Sequence, residues 1–146
     1  MYYQATKSNI FLGNSNGVVR VFDKFETELT SIVTKKGNQE FSSSVLTMDY
    51  YKGKLLIGLK SGMLQLWNIK PIEMIDEING RFKDCIATCI LSSTAEGKTV
   101  ALISDIIGET SIVEFNKAFL SIPSHTIQTL LSGRENTCIA HVSYRE

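Results

Sequence analysis

Apolar residues occur along this chain in short runs that alternate with polar positions in the manner of β-strands. In residues 18–22 (VVRVF) and 63–67 (MLQLW), apolar side chains occupy alternate positions, with further ones between them. This pattern is typical of a strand that is buried on one face and partly covered on the other. Turn residues separate the runs, and no long segment has a helical period. The pattern therefore predicts an all-β chain.

The chain contains an internal repeat. Residues 9–23 align without a gap to residues 54–68, at an offset of 45 positions. In each copy a strand ends in glycine, a polar link reaches a second glycine, and the next strand ends in an aromatic residue followed by Asp or Asn. A third copy spans residues 100–116, and its Gly108 lies 46 positions after Gly62. A period near 45 with an aromatic–Asp strand end is typical of a WD-type β-propeller blade.

The repeat residues have expected structural roles. The paired glycines let the chain reverse between the second and third strands, where a positive φ or a close backbone approach is needed. The aromatic residues at the strand ends are expected to fill the space between neighbouring sheets. The residues that define the repeat are Gly17, Phe22, Asp23, Gly62, Trp67, Asn68, Gly108 and Phe115.

The spacing predicts about three four-stranded antiparallel blades, and thus a partial β-propeller over residues 1–146 with no separate second domain. The blades are expected roughly at 1–34, 45–78 and 85–146. Between the repeat copies, the predicted outer strands are 29–33 and 73–78, and the predicted inner strands are 45–50 and 85–91. Closed propellers have roughly four to eight blades. The chain is therefore expected to be a piece of a longer protein, or to be completed by other copies or partners.

Composition excludes several classes of function. Apolar residues make up 43% and charged residues 21% of the chain, as in folded globular proteins. Fifteen basic residues balance fifteen acidic ones, and no basic stripe is visible, so binding to nucleic acid or anionic lipid is not expected. The Lys35-Lys36 pair is predicted to lie in a solvated turn. No apolar stretch predicts direct membrane insertion, no signal peptide is visible, and the odd cysteine count favours a cytoplasmic protein.

Cysteine and histidine residues do not form a convincing metal motif. Cys138 and His141 have a metal-like spacing, but two ligands do not complete a tetrahedral zinc site. Cys85 and Cys89 lie four positions apart in a predicted strand, so they are expected to face the core together with Ala87. No metal site is predicted.

Catalytic motifs are equally absent from the pattern. Residues 97–99 (GKT) resemble the end of a phosphate-binding loop, but Ser92 stands where its first glycine belongs, so a β-turn is expected. Asp49, Asp76 and Asp84 are expected at strand ends and turns, bonded to nearby backbone amides. No serine or cysteine has a recognisable histidine and carboxylate setting. We therefore predict no catalytic residue, no cofactor and no enzymatic activity.

Aromatic residues near the predicted strand ends are the remaining candidate site. Phe25, Phe41 and Phe82 fall where loops project onto the faces of a propeller, and exposed aromatics there would anchor a protein partner. The alternative is that these side chains plug gaps between blades.

The order of segments resembles the propeller of the vacuolar protein sorting-associated protein 8 family. The resemblance rests on residues 10–25 (IFLGNSNGVVRVFDKF) and 55–68 (LLIGLKSGMLQLWN), with later segments at 111–115 and 130–135. Its most distinctive pieces are residues 22–25 (FDKF) and the SGR of residues 132–134.

The resemblance implies a role in vesicle-mediated transport to the vacuole or lysosome. That family is the specific subunit of the CORVET complex, which tethers endosomal membranes and engages an early-endosomal Rab GTPase. The implied partners are other tethering-complex subunits and the Rab, and the implied location is cytoplasmic, peripheral on endosomal membranes. The family's α-solenoid and zinc-binding RING domain have no counterpart in this sequence. The alternative function is a generic WD-repeat adaptor that recognises a peptide in ubiquitin ligation or signalling, and a propeller enzyme is a more distant one.

Overall fold

The computed structural model describes residues 2–6, 8–116 and 125–131, and regular structure in these ranges is entirely β. The first sheet contains β1 (Tyr2–Ala5), β2 (Asn9–Gly13), β3 (Val18–Asp23) and β4 (Glu28–Val33). A two-residue pair, β5 (Lys35–Lys36) and β6 (Gln39–Glu40), follows. The second sheet contains β7 (Val45–Tyr51), β8 (Lys54–Leu59), β9 (Leu64–Ile69) and β10 (Ile72–Ile78). The third contains β11 (Ile86–Ser93), β12 (Thr99–Asp105), β13 (Thr110–Phe115) and β14 (His125–Leu131).

Each of the three large sheets is an antiparallel meander whose strands pair in chain order. This architecture confirms the predicted all-β fold with about three four-stranded blades. The sheets cover residues 2–33, 45–78 and 86–131, whereas the part of the third predicted blade that follows residue 131 lies outside the described residues. No described segment forms a helix of the length and apolarity that a membrane crossing requires.

Two apolar cores fill the spaces between the blades. The first contains Phe11 and Ile32 from blade 1 together with Leu55 and Trp67 from blade 2. The second contains Leu56 and other side chains of blade 2 packed against blade 3. Because blade 2 is covered on both faces, nearly every residue of β8 and β9 is buried. This double burial explains why both strands read as almost continuous apolar runs.

The aromatic residues of the repeat lie at equivalent positions. Trp67 belongs to the core between blades 1 and 2, and Phe115 belongs to the core between blades 2 and 3. Each therefore faces the blade that precedes its own in the chain. Phe22, at the same position of blade 1, has no preceding blade in the described structure and is half-buried. The residues that follow, Asp23 and Asn68, both pair with a neighbouring strand. The Asp23 carboxylate also accepts hydrogen bonds from the Phe25 and Thr27 amides of the β3–β4 turn.

The paired glycines satisfy two different requirements. A Cβ at Gly58, the first glycine of the second pair, would lie 2.6 Å from Ile86 of the next blade. The second glycines, Gly17, Gly62 and Gly108, have φ values of 79°, 82° and 85°. One glycine thus permits close approach of the next blade, and the other permits a left-handed turn.

A buried carboxylate joins the inner strands of all three blades. Asp49 lies within β7, accepts a hydrogen bond from Gln4 Nε2 of β1 at 3.3 Å, and accepts one from the Leu91 amide of β11 at 2.7 Å. On the outer side, Asp76 of β10 lies 2.8 Å from Nδ1 of His125 in β14. The prediction that Asp49 and Asp76 lie at strand ends and turns is therefore wrong, because both bind the neighbouring blade from within a strand. The predicted bond to a nearby backbone amide is present at two of the three, since Asp84 accepts from the Cys85 amide and Asp76 accepts from the Glu77 amide.

The predicted inward orientation of Cys85, Ala87 and Cys89 is also wrong in part. Cys89 is buried, but Cys85 is half-buried before the strand begins and Ala87 is exposed. The pairing of β11 with β12 shifts register between Ile86 and Thr88. Such a bulge inserts one residue, so the alternation that the sequence suggests changes phase at this point.

Candidate protein-binding surface

The loops of the three blades lie at two opposite edges of the sheets. The turns that join second to third strands, with the connections between blades, form what we call the Gly17 edge. Backbone hydrogen bonds confirm the grouping, because Lys60 N donates to Ser44 O and Ile106 N donates to Cys85 O. The turns that join first to second and third to fourth strands form the Phe25 edge.

The predicted aromatic anchors differ in their exposure. The Phe25 side chain is 75% exposed, and Lys24 Nζ lies 4.9 Å from the centre of its ring. Phe41 is half-buried and packs against the core between blades 1 and 2. Phe82 is only 3% exposed and belongs to the core between blades 2 and 3, so its side chain is not available to a partner. Of the three, Phe25 is the exposed candidate.

The structure reveals a second apolar feature that the sequence reasoning missed. Ile106 and Ile107 form the tip of the β12–β13 turn on the Gly17 edge, and they are 59% and 47% exposed. The equivalent tips in blades 1 and 2 are Ser15–Asn16 and Lys60–Ser61, which are polar and exposed. The signal was present in the repeat alignment, where one copy of three places two isoleucines at a solvent-facing turn.

Local hydrogen bonds hold the Ile106–Ile107 turn in a fixed shape. Asp105 Oδ1 accepts from the amides of Ile107 at 3.1 Å and Glu109 at 2.9 Å. Glu109 in turn binds Arg81 of the neighbouring connection, at 2.5 Å. Asp105 is buried, and its Oδ2 has no hydrogen-bond partner among the described residues. Because the turn is fixed before binding, little conformational entropy is lost when a partner covers it.

A following blade would not cover this tip. Blade 1 is followed by blade 2, and blade 2 by blade 3, yet the tip residues 15–16 and 60–61 remain exposed in both. By the same geometry, Ile106 and Ile107 stay accessible if further blades follow. Contiguous exposed apolar surface rimmed by polar residues marks protein interaction sites, and these two adjacent isoleucines supply the apolar centre of such a surface here.

Two exposed lysines flank the Ile106–Ile107 turn, and the acidic Asp84 lies in the same connection as one of them. Lys60 lies at the tip of the preceding blade, and Lys83 lies two residues before Cys85, whose carbonyl binds the turn. Both lysines are exposed, and neither forms an ion pair with any residue that the structure describes. The chemistry of the surface therefore fits a partner with an apolar pocket and acidic residues at its rim.

Cys89 supplies no reactive thiolate to this surface, and the described residues supply no metal-binding group. Burial raises the pKa of the Cys89 thiol to about 12, and its hydrogen bond to Thr47 only partly offsets this effect. Within the described ranges, no three His, Cys, Asp or Glu side chains form a group that would hold a metal ion. Cys138 and His141 lie outside those ranges.

We expect native-state alkylation with iodoacetamide at pH 8 to modify Cys85 long before Cys89, since the thiolate is the reactive form. Peptide mapping by mass spectrometry would measure both rates, and the denatured chain serves as the control in which they converge. Equal rates in the folded protein would contradict the burial of Cys89.

The raised pKa of the Cys89 thiol also makes stability depend on pH. The ordinary pKa of a cysteine thiol is 9.0. Its contribution to stability is therefore present below pH 9 and is lost as the pH rises from 9 to about 12.

Comparisons with known proteins agree with this architecture. The sequence model of the Vps8 β-propeller family matches residues 3–144. No curated protein sequence matched the chain. Propeller scaffolds of this kind are generally non-catalytic and support protein interactions.

Two solved structures similar to this chain are a β-propeller domain and a WD40 domain. The β-propeller domain of Cps50 (Swd1) from Myceliophteria thermophila is 14% identical, with a TM-score of 0.65, over 89% of this chain and 36% of that one. The C-terminal WD40 domain of Sif2 is 17% identical, with a TM-score of 0.56, over 73% and 30%. The chain thus spans about a third of the length of these structures, and its fold is that of WD-repeat propeller blades. Because the family match covers nearly all of its residues, the chain belongs to the Vps8 β-propeller family.

Proposed function

We propose that this chain is part of a non-enzymatic protein-binding scaffold in a CORVET subunit, which tethers endosomal membranes in transport to the vacuole or lysosome. Membership of the Vps8 β-propeller family is the observation that carries this proposal. The proposed partners are other subunits of the tethering complex and an early-endosomal Rab GTPase. The proposed location is cytoplasmic, peripheral on endosomal membranes.

We further propose that the Rab GTPase contacts the Gly17 edge through the Ile106–Ile107 turn. Three observations support this: the two isoleucines are exposed, the turn is held by Asp105, and the flanking lysines have no described counter-charges. Burying an isoleucine stabilises a complex by about 1.5–3 kcal/mol. Two such side chains are enough to dominate a small interface.

The test is a binding assay between the full-length parent protein and a panel of purified Rab GTPases, each loaded with GTP or GDP. We expect GTP-dependent capture of an early-endosomal Rab. The double variant Ile106→Ser/Ile107→Asn gives this turn the tip residues of blade 1, so the fold should be retained. It should weaken capture by about a hundredfold or more, because each of the two lost side chains removes about 1.5–3 kcal/mol and every 1.4 kcal/mol is about tenfold in affinity.

Phe25→Ser is the matched control, since it removes an exposed apolar side chain from the opposite edge. We expect it to leave Rab capture unchanged. Loss of capture in Phe25→Ser but not in the double variant would place the contact on the Phe25 edge instead. Absence of GTP-dependent capture of any Rab would contradict the Rab assignment and favour a generic WD-repeat adaptor.

A further inference from the structure

A recess lies on the Phe25 edge between blades 2 and 3, away from the Ile106–Ile107 turn. The turn between β7 and β8 forms one wall, and the turn between β11 and β12 forms the other. The lining residues are Tyr51, Lys52, Lys54, Ser93, Gly97 and Thr99, and the cavity volume is about 80 Å³. Because the two walls belong to different blades, a ligand bound here would contact both.

Two lysines bring uncompensated positive charge to the recess. Lys54 Nζ donates a hydrogen bond to Thr99 Oγ1 at 3.2 Å, and Lys52 Nζ lies 5.2 Å from the centre of the Tyr51 ring. Neither ammonium group forms an ion pair with a residue in the described ranges. In a chain whose formal net charge is zero, two adjacent unpaired lysines form a local positive site.

A third lysine on the same edge differs from these two. Lys98 Nζ lies 3.0 Å from a Glu114 oxygen and 3.9 Å from a Glu96 oxygen. The hydrogen bond to Glu114 is the main cause of the raised pKa of Lys98, and both carboxylates contribute. Lys98 therefore already has its counter-charges, and it provides a matched control for the two lysines of the recess.

The lining of the recess consists of hydrogen-bond donors. A lysine ammonium has three N–H donors, and Lys54 uses one of them on Thr99. The Thr99 hydroxyl accepts that bond and keeps its own proton for donation. Tyr51 and Ser93 add a pair of hydroxyl groups whose oxygens are 3.3 Å apart. No carboxylate lines the recess, so its chemistry fits an oxyanion.

From this juxtaposition, between two blades, of hydroxyl donors and two ammonium groups that form no ion pair with a described residue, we propose a binding site for the phosphate group of a phosphoserine or phosphothreonine side chain on a partner protein. A cavity of about 80 Å³ holds a few water molecules or one phosphate group. It is far smaller than the roughly 300–1,000 Å³ of sites that enclose larger ligands, such as a nucleotide. The site deepens the proposed scaffold role and rests on it, but it does not depend on the Rab assignment.

The shape of the recess favours a protein-borne phosphate over an anionic membrane. The recess is a small space between two turns, with no carboxylate in its lining. The surrounding edge exposes both signs of charge, with Glu26 and Glu96 as well as Lys24 and Lys70, so it offers no extended positive surface to a flat anionic bilayer. A single phosphate on a projecting side chain fits a cavity of about 80 Å³.

The test is an NMR titration of the full chain with N-acetyl-phosphoserine amide, and separately with inorganic phosphate, at constant ionic strength. We expect saturable shifts of the Gly53 and Gly97 amide signals with both ligands, and none with unphosphorylated N-acetylserine amide. The double variant Lys52→Gln/Lys54→Gln should bind about tenfold or more weakly, because it removes two charge-assisted contacts. Lys98→Gln should change the affinity by less than about twofold, because a paired surface lysine contributes little.

Shifts that do not saturate, or equal affinity in the wild type and the double variant, would overturn the proposal. So would binding to vesicles of phosphatidylcholine and phosphatidic acid without a response to the phosphoserine amide, since that result would assign the recess to a membrane. The titration uses no Rab protein. A failed Rab assay and a failed phosphate titration are therefore independent results.

Discussion

Replacing Trp67 with alanine is expected to lower the free energy of unfolding by about 3–5 kcal/mol, the usual cost of deleting a large aromatic side chain from a core. Trp67 is 4% exposed and fills the space between blades 1 and 2. Its Nε1 also donates to Gln65 Oε1 at 3.1 Å, and Gln65 is fully buried. The substitution would leave both a cavity and an unsatisfied acceptor.

Urea unfolding followed by circular dichroism would measure this loss. Fluorescence is unsuitable because Trp67 is the single tryptophan of the chain. Phe25→Ala is the matched control: it also deletes an aromatic side chain, but one that is 75% exposed, and it should change the stability by less than about 0.5 kcal/mol. A loss below about 1 kcal/mol for Trp67→Ala would be incompatible with the inter-blade position of this side chain.

The second large effect is expected for Gly62→Ala. Gly62 has a φ of 82°, and a Cβ there would lie 2.7 Å from the carbonyl oxygen of Phe82 and 2.9 Å from that of Asp84. The left-handed conformation alone costs alanine about 1–2 kcal/mol. Backbone carbonyl groups do not move aside as a flexible side chain does, so overpacking should add about 1–3 kcal/mol.

Gly53→Ala separates these two contributions. Gly53 has nearly the same φ, 79°, but no heavy atom lies within 4 Å of the position that its Cβ would take. We expect Gly53→Ala to cost only the conformational part, about 1–2 kcal/mol. Urea midpoints of the two variants would compare them directly. Equal losses would mean that the contact between the β8–β9 turn and the connection to blade 3 is not tight.

The sequence predicted the blade architecture because the repeat of about 45 residues is visible in residue types that local structure requires. A strand that is covered on both faces must be apolar throughout, and a left-handed turn strongly favours glycine. For these reasons the alternation around Trp67 and the spacing of Gly17, Gly62 and Gly108 were sufficient to locate blades and turns.

Other features depended on contacts between blades, which the local pattern does not contain. The bulge in β11 changed which of Cys85, Ala87 and Cys89 faces the core, since one inserted residue reverses the alternation of a strand. Asp49 reads as a turn residue in sequence, but in the fold it binds Leu91 of the next blade from within β7.

For the candidate sites, too, the sequence suggested residues, whereas contacts between blades decided their exposure and their neighbours. The sequence suggested Phe25 and Phe82 on equal terms. The packing of blade 3 against blade 2 buries Phe82, whereas Phe25 lies exposed on the β3–β4 turn of blade 1. Likewise, Lys52 and Thr99 are far apart in the chain and line one recess only because blades 2 and 3 pack together. Residue type and spacing thus determined the strands and turns. Exposure and the meeting of distant side chains were decided by tertiary packing, because each depends on which surfaces the neighbouring blade covers.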